Sequence, residues 1–139
     1  MNLRERIITA FGALNETSAG KLDELRELYA DDVHFQDPIQ TVRGLDAFIE
    51  MNRSLISKVR ELSFEVTASA GSDEEMFLAW TMTFAPKHGP RVKVDGTSHV
   101  RTERGKVVYH RDYWDIAGMF AGAIPGGRRL LSAILKPFV

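Results

Sequence analysis

The chain contains no cysteine among its 139 residues, which excludes disulfides, thiolate catalysis and Cys-ligated zinc or iron, and fits a reducing cytoplasm. Neither sign of charge is in excess. With 18 Lys and Arg against 19 Asp and Glu, there is no net field to hold a polyanion, and nucleic-acid binding is not expected. Long hydrophobic runs are missing as well. The longest uncharged stretch, Ile116 to Gly127, holds a proline and several glycines and falls short of the about 20 apolar residues that span a bilayer. Mixed charges in Met1 to Arg6 stand where an export signal needs an apolar segment, so the expected location is cytoplasmic.

What is present is a globular composition, 44% hydrophobic and 27% charged, in a length suited to one compact domain. Leu3, Ile7, Phe11 and Leu14 recur at helical spacing and predict a first helix. After the polar stretch Asn15 to Gly20, Leu22, Leu25, Leu28 and Tyr29 form the apolar stripe of a second. Asp31-Asp32 ends it, because negative charge opposes the C-terminal end of a helix dipole. Val33 to Pro38 then alternates as a short strand, with Val33, Phe35 and Asp37 on one face and His34 and Gln36 on the other. Gly44 opens a third helix that buries Leu45, Phe48, Ile49, Leu55 or Ile56, and Val59.

From Leu62 the apolar period changes to two and stays there for the rest of the domain. Leu62, Phe64, Val66 and Ala68 share a face; so do Met76, Leu78, Trp80, Met82 and Phe84. Val92, Val94, Gly96, Ser98 and Val100 share a third, with Ser98 as its polar exception. Glu103 to Lys106 is a hairpin turn into a last strand, Val107 to Asp115, whose inward face is open between the even set (His110, Asp112, Trp114) and the odd set (Val107, Tyr109, Arg111, Tyr113). Helices followed by an antiparallel meander predict an α+β domain with the helices covering one face of a curved sheet.

Two motifs carry a resemblance. The run Tyr29-Ala30-Asp31-Asp32-Val33-His34-Phe35-Gln36-Asp37-Pro38, followed by Gly44, resembles the front half of the SnoaL-like and ketosteroid-isomerase-like branch of the NTF2-like superfamily. Arg104-Gly105-Lys106-Val107-Val108 with His110-Arg111-Asp112-Tyr113-Trp114-Asp115 is similar to the last hairpin of SnoaL-like proteins and limonene epoxide hydrolases. The resemblance implies a domain over residues 1–118 shaped as a cone, with three N-terminal helices against a strongly curved, mostly antiparallel sheet, and a helical C-terminal tail over 119–139. It further implies an apolar pocket for a small molecule, a homodimer formed through the outer sheet face, and Asp112, His110 and Trp114 facing the pocket.

Asp37 falls where ketosteroid isomerases carry their general base, and a carboxylate beside Phe35 in an apolar cavity is a better base than one in water. An Asp before Pro can equally cap the loop that follows. The rest of the isomerase site is absent: Phe11 and Ser98 stand where that family has a tyrosine and a protonated aspartic acid, and losing one such donor costs about 10²- to 10³-fold in rate. Efficient steroid isomerisation is not expected. Nor is limonene-epoxide hydrolysis, since Asp112 matches one member of that family's Asp-Arg-Asp set, while Thr81 and Thr83 occupy the strand that should supply the others.

What remains is an acid–base group of Asp37, His110 and Asp112 with Ser98 at the polar end of a pocket lined by Phe11, Phe35, Trp80, Met82, Phe84 and Trp114. His110 and Asp112 can also be read as a satisfied buried pair. No metal or other cofactor is expected, because no further His or Cys stands at metal-ligand spacing; His34, His88 and His99 are expected to face solvent. The tail from Ile116 holds Arg128, Arg129 and Lys136 among apolar residues and no acid. It is expected to close the cone or pack on a second subunit, with contact to anionic membrane as the lesser alternative. Two functions follow: a small-molecule-binding protein with isomerase- or hydrolase-like acid–base chemistry, or a non-catalytic dimeric interaction module whose interior is filled. An enclosed cavity of about 300 Å³ or more with a carboxylate at one end separates them.

Overall fold

The computed structural model describes all residues from 1 to 139. Helix α1 (Leu3–Ala13) begins with a capping box in which the Asn2 side chain accepts from the Glu5 amide and Glu5 returns the bond to the Asn2 amide. A 3₁₀ segment (Ser18–Glu27) and strand β1 (Tyr29–Gln36) follow, then the short β2 (Thr41–Arg43) and helix α2 (Leu45–Ser57). Four long strands complete the sheet: β3 (Val59–Gly71), β4 (Glu75–Pro86), β5 (Val92–Glu103) and β6 (Lys106–Trp114). The chain closes with α3 (Ile116–Ala123), α4 (Gly127–Leu135) and one 3₁₀ turn (Lys136–Phe138).

One six-stranded sheet runs in the order β2-β1-β6-β5-β4-β3, antiparallel throughout except for the parallel pair β1–β6. Register shifts interrupt it within β1–β6, β3–β4 and β5–β6, and each such bulge bends and twists its strand. The resulting concave face carries the core. Met76, Leu78 and Trp80 of β4, Val94 and Val100 of β5, and Leu62 of β3 are buried there under Ile7 of α1 and Phe48, Ile49 and Ile56 of α2.

The second helical stripe takes a tighter form than its reading as an α-helix. Leu22, Leu25 and Leu28 are spaced by threes, and a 3₁₀ helix, with three residues per turn, sets such residues in one line; Leu22 and Leu28 are buried. Tyr29 is corrected too. It begins β1 rather than ending the helix, paired with Val107 of β6, whose amide donates to the Leu28 carbonyl at 2.8 Å. The polar segment before the 3₁₀ turn is tied to the sheet by Glu16, whose carboxylate accepts the Leu62 amide at 3.1 Å; backbone hydrogen bonds hold that carboxyl below its ordinary pKa.

The open parity of β6 has a local cause. Arg101 pairs with Tyr109 but Thr102 pairs with Val107, so Val108 is the extra residue of a bulge and the inward face switches across it. Val107 is therefore buried on the core side, and so is His110. The hairpin before it has Arg104 and Gly105 both at positive φ (53° and 76°), as a two-residue turn matched to strand twist requires.

Gly96 lies directly opposite Trp80 in the β4–β5 ladder, and a methyl group there would collide with the six-membered ring of the indole. The missing side chain is what lets the indole lie flat across β5. Gly96→Ala is expected to destabilise the fold by about 1–3 kcal/mol in urea denaturation, as overpacking in a close-packed interior does. The same change made together with Trp80→Phe should cost measurably less than the two single changes summed; strict additivity would show that the ring is not the obstacle.

Candidate functional site

Between the concave sheet face and the helices lies a cavity of about 880 Å³, partly open to solvent rather than enclosed as expected. Its apolar wall includes Phe11 and Leu14 of α1, Phe35 of β1, Phe48 and Met51 of α2, Phe64 of β3, Trp80, Met82 and Phe84 of β4, Trp114 of β6 and Met119 of α3. At one end Tyr29, Ser98, His110 and Asp112 line it together, while further polar lining comes from the β1–β2 turn and β2 (Gln40, Thr41, Arg43) and from α2 and the residue after it (Glu50, Asn52, Ser54, Lys58). Each pocket residue anticipated from the sequence, Asp37 included, lies along this wall. A second, shallower depression of about 750 Å³ lies between Thr67, Thr81, Asp95, Thr97 and Tyr113 toward the opposite sheet face. Short threonines and the Thr81–Asp95 hydrogen bond (2.7 Å) dominate it, with no convergent acid–base set.

The polar end is a continuous hydrogen-bond chain across four strands. Trp80 Nε1–H donates to Ser98 Oγ at 2.8 Å. Indole nitrogen can only donate, so the Ser98 hydroxyl proton is free to go to Asp112 Oδ1, 2.5 Å away. His110 Nε2 meets the same Oδ1 at 2.7 Å, and His110 Nδ1 meets the Tyr29 hydroxyl at 2.9 Å. A carboxylate only accepts, so His110 Nε2 carries the proton that goes to Asp112; Nδ1 of the neutral imidazole is then the acceptor, and the Tyr29 hydroxyl donates to it.

Strand pairing explains why these side chains meet. Ser98 and Asp112 are directly opposed in the β5–β6 ladder, and His110, two residues before Asp112, shares its face. The imidazole is held on several sides by aromatic rings. Phe11 stacks on it at 5.2 Å between centroids, and Phe35 meets it edge-on at 5.0 Å. Burial pushes the Tyr29 phenol far above its ordinary pKa, and the negative charge of Asp112 adds to the effect. Asp112 itself keeps 19% of its side-chain surface accessible. Both protein donors use its Oδ1, which leaves Oδ2 unengaged at the cavity.

Asp37 sits one residue beyond the last β1–β6 pair, Gln36 with Arg111, and so level with Asp112. Its carboxylate is not part of the chain. Oδ1 accepts the amides of Ile39 (2.7 Å) and Gln40 (2.9 Å), and Oδ2 meets the Gln40 side-chain amide at 3.4 Å, which caps the turn through Pro38.

Sequence reasoning missed Tyr29 and Asn52 at the site, and Leu14, Phe48, Met51, Phe64 and Met119 of its apolar wall. Asn52 is buried on α2 and lines the cavity, with its amide nitrogen on the Phe48 carbonyl at 2.9 Å. An asparagine on the inward face of an otherwise apolar stripe, four residues after Phe48, was the available signal.

No three His, Asp or Glu side chains converge in a way that would hold a metal ion. His34 and His99 lie on the convex sheet face, as expected, but half-buried rather than bathed in solvent. His99 stacks on Phe77 at 4.5 Å and meets Glu75 at 3.1 Å, while His34 turns its edge to Tyr109. No helix is long and apolar enough to cross a membrane.

A family model described as the SnoaL-like domain matches residues 7–110. No curated protein matches the chain significantly. Among solved structures, a protein from Jannaschia sp. CCS1 named for its likeness to SnoaL-like polyketide cyclases superposes with a TM-score of 0.74 at 19% identity, covering 87% of this chain and 90% of that one. An epoxide hydrolase of the LEH-like type from M. tuberculosis gives 0.69 at 16% identity, over 96% and 93%. An NTF2-like protein of unknown function from Exiguobacterium sp. 255-15 gives 0.70 at 23% identity, over 83% and 99%. At these identities the likeness is one of fold.

The raised pKa of Tyr29 makes a prediction with a definite sign. The unfolded phenol loses its proton near pH 10, while the folded one keeps it, so its contribution to stability is complete below about pH 10 and is lost above it. Urea-denaturation stability should fall above about pH 10 by up to about 1.4 kcal/mol per pH unit on this account. Tyr29→Phe should remove that part of the slope while costing about 1–3 kcal/mol at neutral pH, because the buried Nδ1 of His110 loses its donor. A slope unchanged in the variant would show that Tyr29 is not held protonated by the fold.

Proposed function

This chain belongs to the SnoaL-like domain family, and we propose that its cavity binds a small, flat, largely apolar carbonyl compound on which Asp112 acts as general base. The observation that carries this reading is the single unengaged carboxylate oxygen, Asp112 Oδ2, at the polar end of an apolar cavity of about 880 Å³. A volume of that size suits a drug-sized ligand and exceeds what a merely packed interior would leave. Proteins of this fold named for cyclases and epoxide hydrolases agree with small-molecule chemistry in such a space.

The chemistry follows from the hydrogen-bond chain. Ser98 and His110 hold Oδ1, fix the carboxylate plane and leave Oδ2 as the point of attack. Oδ2 takes a proton from the carbon beside the substrate carbonyl: the C–H bond breaks, an O–H bond forms on Asp112, and the electron pair moves onto the carbonyl oxygen as an enolate. Asp112 then returns the proton to carbon, at the same position or at the far end of a conjugated system. Asn52, whose amide engages only Phe48 within the protein, is the buried polar side chain of α2 at the cavity and can donate to the substrate oxygen. Asp37, occupied in its turn, shapes the rim in this reading.

Proton exchange at carbon tests it directly. With 2-tetralone, a flat enolisable ketone, in deuterated buffer, the protein should speed loss of the α-proton signal in the NMR spectrum. Asp112→Asn should lower that rate by about 10²- to 10⁴-fold, the span typical for a positioned base, and Asp37→Asn should retain most of it. If tetralone quenches the fluorescence of Trp80 and Trp114 yet exchanges no faster than in buffer, the protein is a binder and the catalytic reading fails.

The same proposal includes a homodimer through the convex sheet face. It is supported by Phe77 and Tyr113, each 46% exposed there. Phe77→Lys should shift sedimentation equilibrium from dimer toward monomer; a wild-type monomer at high concentration would end this part of the proposal.

A further inference from the structure

The segment after β6 is left over by the proposed chemistry. Its one tie to the cavity is Met119 of α3; α3 also packs on β5, and α4 packs on α3. Neither α4 nor the turn after it lines the cavity, so α4 does not close the cone. Instead it leaves apolar side chains in water. Phe120, Ile124, Leu130 and Ile134 are each more than half exposed (56–64%), and Phe138 is 83% exposed. On α4, Leu130, Leu131, Ile134 and Leu135 fall on one side of the helix, with Arg128, Arg129 and Ser132 on the other.

Charge separates this segment from the rest of the molecule. From Ile116 to Val139 there are three basic side chains and no acidic one. Taking Arg128, Arg129 and Lys136 from the 18 cations leaves 15 against all 19 acidic residues in the remainder, so an anionic body carries a cationic, greasy appendage. The corner between α3 and α4 is tight. A side chain on Gly127 would collide with the backbone of Ala121, and Gly126 holds φ at 73°.

We propose that Ile116–Val139 is an interfacial anchor that docks reversibly on an anionic lipid bilayer, with its apolar side chains entering the acyl boundary and Arg128, Arg129 and Lys136 meeting the headgroups. Cations and exposed aliphatic side chains on one short amphipathic helix match a surface that is negative outside and hydrocarbon beneath. A second copy fits less well. A two-fold α4–α4 contact through the apolar faces would leave Arg128 and Arg129 of both protomers on the outside with no acid on either helix to meet them, whereas an anionic bilayer meets both faces of the helix.

Vesicle cosedimentation of the full chain tests this, with phosphatidylcholine alone and with an equal mixture of phosphatidylcholine and phosphatidylglycerol. At low salt the bound fraction should be about tenfold higher on the mixed vesicles, and it should fall to the neutral-vesicle level at about 1 M salt, where screening shortens to about 3 Å. The double change Arg128→Glu with Arg129→Glu, and separately Leu130→Ser with Ile134→Ser, should each lower binding to mixed vesicles by about tenfold. All four positions are exposed, so the thermal midpoint should stay unchanged in both variants. No binding, equal binding to the two vesicle types, or a charge-reversed variant that still binds would overturn the proposal. So would a dimer that dissociates in the Leu130→Ser, Ile134→Ser variant, which would assign the face to a second copy.

Discussion

A carboxylate set into an apolar hollow is stable only if the protein supplies donors for it, and the polar end of this cavity is organised around that demand. Asp112 Oδ1 receives two hydrogen bonds, from Ser98 and His110, and each of those residues is supported by another, Trp80 and Tyr29. A group left unpaired in such surroundings would cost about 1–3 kcal/mol, more if charged. The chain therefore fixes more than one side chain. It sets the rotamer of Trp80, the tautomer of His110 and the protonation of Tyr29, and through Gly96 it reaches into the backbone of β5. The bonds that make burial of Asp112 tolerable all fall on Oδ1, and they leave its other oxygen unengaged.

The concave faces of β4 and β5 were legible in the sequence because their alternation is unbroken, from Met76 to Phe84 and from Val92 to Val100, and Ser98 stood out as a polar residue on the wrong side. The face of β6 was not, because the bulge at Val108 puts Val107 inward together with His110, so neither odd nor even numbers describe the strand. There the resemblance to the epoxide-hydrolase hairpin, rather than periodicity, pointed to Asp112. Tyr29 was hidden by its position. It follows three leucines spaced by threes, which a period of 3.6 tolerates, and its strand partner Val107 lies far along the chain. Local pattern carries no information about a contact of that range.

Asp37 shows how a residue can reach the cavity without joining its hydrogen-bond chain. Alternation with Val33 and Phe35 pointed it inward, and it lines the cavity level with Asp112. Its two oxygens nevertheless meet donors from Ile39 and Gln40 within the next three residues, the behaviour that Asp before Pro favours. Asp112 differs in the origin of its donors. They come from a neighbouring strand and from its own, both on one side of the carboxylate, so the other side remains free. Two carboxylates at the same level of one sheet thus differ in what they can do because local turn geometry consumes one and cross-strand pairing orients the other.

The appendage after β6 connects to this site through α3. Asp115 caps that helix by accepting the Gly118 amide at 2.8 Å, directly after Trp114 leaves the sheet and three residues before Met119 reaches the cavity wall. A side chain on Gly118 would push aside the Asp115 carboxylate that forms the cap. The helix that carries Phe120 outward thus follows, after the single capping residue Asp115, the strand that carries His110, Asp112 and Trp114 inward. If the outer residues rest on lipid, the cavity wall stands about one helix diameter, 10–12 Å, from hydrocarbon. An apolar ligand partitioned in the bilayer would then have a short path to a pocket whose wall is mostly aromatic and aliphatic. Anchor and cavity would select the same kind of molecule, one by where the protein sits and the other by what its interior accepts.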